Sequence, residues 1–319
     1  MAAIIATPIP VLPPGQHQLA NATTLSPPMR GLLFGALAAV IWGSYLAFAR
    51  AGVSTGLTGF DFTAIRYGTA GLVMLPWLLR HNPATMAGVG WGKALVLTLL
   101  AGPLFIWLGV GGYGFAPLAH GAVVQPASVV VFTTILAALV LNDRPNRARI
   151  IGLAVIVAGL GVIAGPGLLQ VGGLTPLGDA MFVLAGLLWA AFTTLTRRWG
   201  IKALPATAAV SVLSGAIILP VYAATVGFDR LLALPTSMLL TQVIVQGVLS
   251  GVVAVIFYTK AAELLGPAKA AIFPALVPAA AILIGIPVTG EWPNLLQAAG
   301  LAVVSLGLLI AIGVFNRAR

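Results

Sequence analysis

The sequence contains no cysteine, and only 7% of its 319 residues are charged. The lack of cysteine excludes disulfides, a thiolate nucleophile and a zinc–thiolate site, and says nothing about compartment. The lack of charge says more. A soluble domain carries about 25% charged residues, so this chain cannot cover itself with a polar surface, and lipid must be its solvent. Acids are scarcest of all: six Asp and Glu stand against sixteen Lys and Arg, a net charge of +10. There is no phosphate-binding loop and no HExxH pair, which excludes ATP drive and metal hydrolysis. An intramembrane enzyme would need paired acids or a Ser or His dyad, and the interior polar residues stand singly. The reading is therefore no enzyme, no cofactor and no metal.

What is present is apolar sequence in long runs, 60% hydrophobic overall with a mean hydropathy of +1.08. A membrane span needs about 20 such residues. Spans are expected at 31–50, 60–80, 91–113, 118–141, 148–166, 176–197, 205–226, 239–261, 267–288 and 294–315, separated by breaker segments such as Asn142-Asp143-Arg144-Pro145 and Gly290-Glu291-Trp292-Pro293. Residues 1–29 hold six prolines and no Lys or Arg. They lack the basic start and uninterrupted apolar core of a signal peptide and are expected to form a disordered cytoplasmic tail.

A strong basic balance ordinarily raises nucleic-acid binding, but here the cations sit singly or in small groups between apolar runs. With the N-terminus in the cytoplasm, thirteen of the sixteen fall on inside segments: Arg30, Arg80, Lys93, Arg144, Arg147, Arg149, Arg197, Arg198, Lys202, Lys260, Lys269, Arg317 and Arg319. Arg50 and Arg230 fall outside, and Arg66 lies within a span. The positive-inside bias explains this pattern, excludes a nucleic-acid partner and places both termini in the cytoplasm.

The chain also repeats itself. At an offset of 148 residues, Pro145/Pro293, Asn146/Asn294, Gly152/Gly300, Gly159/Gly307 and Gly165/Gly313 coincide, Asp143 meets Glu291, and Ala122/Ala270 and Pro126/Pro274 match upstream. At 147, Trp42/Trp189 and Arg50/Arg197 match, and Tyr45 meets Phe192. Five spans per unit is an odd number, so the second copy must enter the membrane upside down. Arg144, Arg147 and Arg149 on the inside then correspond to Trp292, Leu295 and Gln297 on the outside. The expected fold is an all-α integral membrane protein of ten transmembrane helices, made of two five-helix inverted-topology repeats at 30–168 and 169–319.

Ten helices in inverted halves, a Pro-Asn helix start after an acidic loop, a Trp in the first helix of each half and Arg66 early in the second helix resemble the EamA type of the drug/metabolite transporter superfamily. The likeness covers about residues 31–316. Within that superfamily the chain is most similar to the bacterial aromatic amino-acid exporter branch. The resemblance implies a secondary exporter of neutral and aromatic amino acids in the bacterial inner membrane, working by alternating access. The small multidrug-resistance branch uses a Glu in the first helix; residues 31–50 hold no acid, so that mechanism cannot run in that place. The alternative is uptake or exchange of another metabolite, such as a nucleotide sugar or phosphorylated compound, which would require more interior cations than Arg66.

Candidate residues follow from the same pattern. Trp42 and Tyr45 share one face of the first helix, and Trp189 and Phe192 repeat it in the sixth. Being duplicated, these rings are expected to line a central substrate cavity rather than to face lipid. Gln125, beside a helix break, and His120, one and a half turns earlier, are candidate polar contacts, against the plainer reading of structural hydrogen bonds. Arg66 either snorkels outward with Asp61 as partner or binds a substrate carboxylate. Pro126, Pro274 and Pro278 are expected hinges or kinks; the first two free the carbonyls of Ala122 and Ala270. The Gly109-x-Gly111-x-x-Gly114 pattern lacks the strand a dinucleotide site needs and is set aside. Gly31/Gly35, Gly161/Gly165, Gly247/Gly251, Gly152/Gly159 and Gly300/Gly307 form smooth faces for close packing, within the chain or in a homodimer.

Overall fold

The computed structural model describes residues 26–168, 173–265, 270 and 272–311, which form helices and no strands. In chain order the longer helices are α1 (Pro27–Ser54), α2 (Gly59–Arg80), α3 (Trp91–Gly114), α4 (Leu118–Leu141), α5 (Arg147–Leu168), α6 (Thr175–Arg198), α7 (Ala203–Thr225), α8 (Thr236–Leu265), α9 (Ile272–Thr289) and α10 (Leu295–Ala311), with short turns of helix over Pro83–Thr85 and Asp229–Leu232 between them. Seven of them, α1 to α4 and α6 to α8, are long and apolar enough to cross a membrane, and α9 and α10 are shorter apolar helices. The expected tail and the cations Lys269, Arg317 and Arg319 lie outside the described residues, apart from residues 26–29.

Local chemistry explains the helix starts. Asn146 and Asn294, repeat partners, are both N-caps: their Oδ1 atoms accept the backbone N–H of Arg149 at 2.8 Å and of Gln297 at 2.9 Å. Thr58 and Asp61 open α2 with a reciprocal capping box.

Two expected spans depart from a plain helix. The span expected over 91–113 breaks at Gly102 (φ −98°, ψ −140°), and Pro103 opens the next segment, where its missing N–H leaves no donor unpaired. The Ala101 carbonyl freed at this break accepts Tyr67 Oη at 2.5 Å. The span expected over 239–261 begins earlier, at Thr236, and widens to π-helix over Val243–Val253. Such stretches are rare and frequently mark functional sites.

The helices pack across the repeat rather than within it. The most extensive pairings are α5 with α10, α4 with α6, α9 with α1, α2 with α7, and α8 with α1. Exchanging the halves turns α4–α6 into α9–α1 and maps α5–α10 and α2–α7 onto themselves. Both self-paired contacts run antiparallel. A Cβ added at Gly152 would meet Ala311, one at Gly159 would meet Val304, and one at Gly300 would meet Ile163. Likewise Gly71 faces the Ser211 carbonyl while Gly215 faces that of Tyr67. Glycine is required here because the backbones touch. The faces of Gly31/Gly35 and Gly247/Gly251 are likewise filled, by Leu265 and Phe273 and by Thr69 and Ala70. These filled glycine faces pack within the chain. Among the described residues nothing lies over Gly161, and the surroundings of Gly165 fall outside them.

Candidate functional site

The repeat-related aromatic residues form two clusters. Trp42 of α1 lies on Tyr258 of α8, with ring centroids 5.6 Å apart. Trp189 of α6 lies on Phe105 of α3 at 5.0 Å and on Phe192 at 5.2 Å. Each tryptophan thus meets an aromatic from the third helix of the opposite half. The two indoles belong to separate, symmetry-related clusters.

The first cluster holds the interior cation. Arg66 Nη1 donates to the Gln246 carbonyl at 3.2 Å and to Ser250 Oγ at 3.0 Å, both in the π-helical stretch. Its guanidinium stands 5.1 Å from the Tyr45 ring centroid. This corrects the expected pairing with Asp61. That carboxylate is fully buried and is occupied by Thr58, by Tyr222 Oη at 2.6 Å and by Arg230 at 3.5 Å. Among the described residues no acid pairs with Arg66. Gln246 and Gln242 tie the same stretch of α8 to α1, through the carbonyls of Tyr45 at 3.3 Å and Phe48 at 3.0 Å. The Tyr45 hydroxyl is buried and makes no hydrogen bond among the described residues.

In the second cluster Gln125 is buried against the backbone of α3 at Gly109, where an added Cβ would press on its amide. Its Oε1 has no partner among the described residues. Pro126 lies inside α4 and Pro278 inside α9. Pro274 falls in the first turn of α9 as described. His120 pairs with Asp179 of α6, Nδ1 to Oδ1 at 2.9 Å, and so is tied to an acid rather than grouped with Gln125. Asp179 is the partner that sequence reasoning missed, although an acid inside an expected span is itself a signal.

Both ends of α4 are held by the other half. At its N-terminal end, Glu291 accepts Arg50 Nε at 2.6 Å and the Leu118 N–H at 2.9 Å, while Arg50 also donates to the Tyr113 carbonyl at 2.6 Å. A carboxylate at a helix N-terminus is favoured by the helix dipole. At the C-terminal end, Arg197 Nη1 donates to Asp143 at 3.0 Å, and Arg198 caps the Val140 carbonyl at 2.9 Å. These two ion pairs are one pair written twice, since Arg50 matches Arg197 and Asp143 matches Glu291. Each joins an arginine of one half to an acid of the other, and α4 separates them by about 36 Å. A cavity of about 310 Å³ opens over the first pair, lined by Arg50, Leu118, Ala119, Glu291, Trp292 and Asn294. Neither this cavity nor a second of about 270 Å³ around Met238 and Gln242 includes Trp42, Gln125 or Trp189.

Membrane-length helices, halves packed crosswise about an internal two-fold, and polar groups held between them define a multi-pass membrane transporter. The EamA-like transporter family matches the chain twice, over residues 29–165 and 176–313, and the chain belongs to that family. It is 24% identical over 287 residues to the uncharacterized inner membrane transporter YedA of Escherichia coli (strain K12), covering 87% of this chain and 90% of that one. The YedA chains of strains O6:H1 and O157:H7 match equally. A solved crystal structure shares the fold with a TM-score of 0.59 at 18% identity, over 90% of this chain and 99% of that chain.

Proposed function

We propose that the protein is a secondary exporter of neutral and aromatic amino acids in the bacterial inner membrane, working by alternating access between two inverted five-helix halves. One observation carries the mechanism. The two ends of α4 are closed by repeat-equivalent ion pairs, Arg50–Glu291 and Arg197–Asp143, each spanning the two halves. Parting one pair while the other holds opens one side at a time. Antiparallel packing of α5 with α10 and of α2 with α7 supports an axis in the membrane plane. YedA, by its name an inner membrane transporter, supports the location, and the positive-inside bias puts both termini in the cytoplasm.

The substrate class follows from chemistry and resemblance together. An amino acid has a fixed carboxylate, a fixed ammonium and a variable side chain. Arg66, with Tyr45 and Ser250 beside it, suits the carboxylate. The carbonyl of Ala122, freed by Pro126, and the Gln125 amide oxygen suit the ammonium. The clusters around Trp42 and Trp189 accept apolar or aromatic side chains, each buried ring contributing roughly 1.5–3 kcal/mol. The outward direction rests on the likeness to the aromatic amino-acid exporter branch. A phosphorylated substrate would call for several interior cations, and among the described residues Arg66 is the one within that region.

Counterflow in proteoliposomes with labelled phenylalanine, methionine and threonine tests the reading, together with efflux from preloaded cells. Faster exchange and efflux than protein-free controls are expected. Unchanged rates for all three, with folded protein present, would overturn the amino-acid assignment and favour the exchange of another metabolite.

A further inference from the structure

His120 and Asp179 form a pair that the two-fold arrangement does not explain. His120 lies in the first turn of α4 and Asp179 in the second turn of α6. Nδ1 is 2.9 Å from one carboxylate oxygen and 3.2 Å from the other. The residues are only 5% and 7% exposed. Their repeat positions are Ala268 and Leu32, so the pair occurs once. Gates are needed at both ends; a group that couples transport to a gradient is needed once.

The other acids have evident work or sit in water. Asp61 caps a helix and binds Tyr222, Glu291 and Asp143 hold the end pairs, and Asp229 and Glu263 are exposed. Among the described residues, the one side chain bound to Asp179 is His120. A carboxylate enclosed in a membrane protein is expensive, and such groups mark ion and proton paths.

We infer that His120–Asp179 is a proton-binding site that couples export to the inward proton gradient; this rests on the transport reading above. With Asp179 ionised and His120 neutral, the pair bears one negative charge, and Nδ1–H donates to the carboxylate. One proton taken from outside water makes the pair net neutral. Leu118, two residues before His120, gives its N–H to Glu291 at 2.9 Å. Movement of Glu291 away from both Arg50 and the Leu118 N–H frees the start of α4 and admits water to the pair. Enclosing a neutral pair costs less than enclosing a charged one, so closure of this end carries a proton inward. Opening at the Arg197–Asp143 end releases the proton through the space between the halves to cytoplasmic water, and substrate binds there in exchange, to leave when the Arg50–Glu291 end next opens. Nearby elements bring Tyr45 and Arg50 from α1, Tyr113 from α3 and Glu291 from the loop before α10. Arg147 and Arg149 of α5, Arg197 and Arg198 of α6 and Lys93 of α3 lie at the opposite ends of their helices, and the described parts of α9 and α10 bring no titratable group.

The test uses the full chain in proteoliposomes with labelled phenylalanine, methionine and threonine. An interior one pH unit more acidic than the outside should drive about tenfold accumulation at one proton per substrate. Asp179→Asn should keep counterflow and lose this driven accumulation, and Asp179→Glu should restore it. Wild-type counterflow that ignores the gradient, or an Asp179→Asn carrier that accumulates like wild type, overturns the proposal. A substrate-free readout separates this from the amino-acid reading. Trp292 borders the cavity over Arg50–Glu291, and its fluorescence should show a one-proton transition that Asp179→Asn removes and Asp143→Asn keeps. No such transition in the wild type, or one unchanged in Asp179→Asn, overturns the proton site whether or not any probe is transported. If Asp179→Asn loses counterflow too, this titration decides.

Discussion

Arg50 and Glu291 meet at 2.6 Å in the same relation as Arg197 and Asp143, with the halves of the chain exchanged. The two pairs are not equally sheltered. Arg50 and Glu291 side chains are 22% and 30% exposed, against 66% and 35% for Arg197 and Asp143. Exposed ion pairs contribute about 0–1 kcal/mol, whereas hydrogen bonds to charged groups reach about 1.5–3 kcal/mol when partly desolvated. The Glu291 end is thus the firmer closure.

Glu291→Gln should therefore loosen that end. Ala119 borders the cavity there and is 6% exposed. A cysteine at this position is expected to react with an impermeant reagent roughly tenfold faster in the Glu291→Gln background, the equivalent of about 1.4 kcal/mol. Arg197→Gln, which loosens the opposite end, should not speed it. Equal acceleration by both substitutions would contradict a two-ended gate.

Topology is checked with the same chemistry, since the chain has no native cysteine. In intact cells, an impermeant reagent should label a cysteine at Asn294 and spare one at Asn146. Labelling of both, or of neither, would remove the inverted repeat, and the reverse pattern would overturn the assigned orientation.

Gly152 and Gly307 should be among the least replaceable residues. A Cβ at Gly307 would press on the Gly152 carbonyl and Ile156, and one at Gly152 on the backbone of Ala311. Gly307→Leu is expected to cost several kcal/mol of packing, seen as a large fall in Tm of the purified carrier. Gly161→Leu, with nothing over it among the described residues, should change Tm little.

The helix boundaries were readable because Asn146 and Asn294 are N-caps and because apolar runs of membrane length have one economical conformation in lipid. The crossed ion pairs were half readable. Both pairs of repeat partners can be seen in the sequence, but nothing in it says that the arginine of one half seeks the acid of the other. The partners of Arg66 were not readable. Asp61 lies five residues away in sequence, but Thr58, Tyr222 and Arg230 claim it, and a local widening of α8 supplies Gln246 and Ser250 instead. Tertiary contact overrode proximity. The break at Gly102 could have been read from the Gly-Pro step.

Trp189 and Gln125 test the aromatic half-site. Trp189→Ala removes the stack on Phe105 and Phe192 and should raise the KM for phenylalanine about tenfold, with a smaller effect on threonine. Gln125→Leu keeps the volume and should weaken both similarly. Normal transport of every probe by both purified variants would place the substrate elsewhere.

Arg66 separates recognition from scaffolding most directly. If its guanidinium holds the substrate carboxylate, Arg66→Gln removes a charge-assisted contact of about 1.5–3 kcal/mol. Inhibition of counterflow by phenylalanine should then weaken by roughly tenfold or more, while inhibition by phenylalanine methyl ester, which has no carboxylate, should hardly change. Arg66→Lys keeps the charge but not the planar donors, and should fall between. If instead Arg66 only braces the π-helical stretch of α8 through Gln246 and Ser250, both ligands should lose affinity together and Tm should fall with them. Equal loss for acid and ester would thus assign Arg66 to the scaffold and leave the carboxylate site to be sought at a helix terminus.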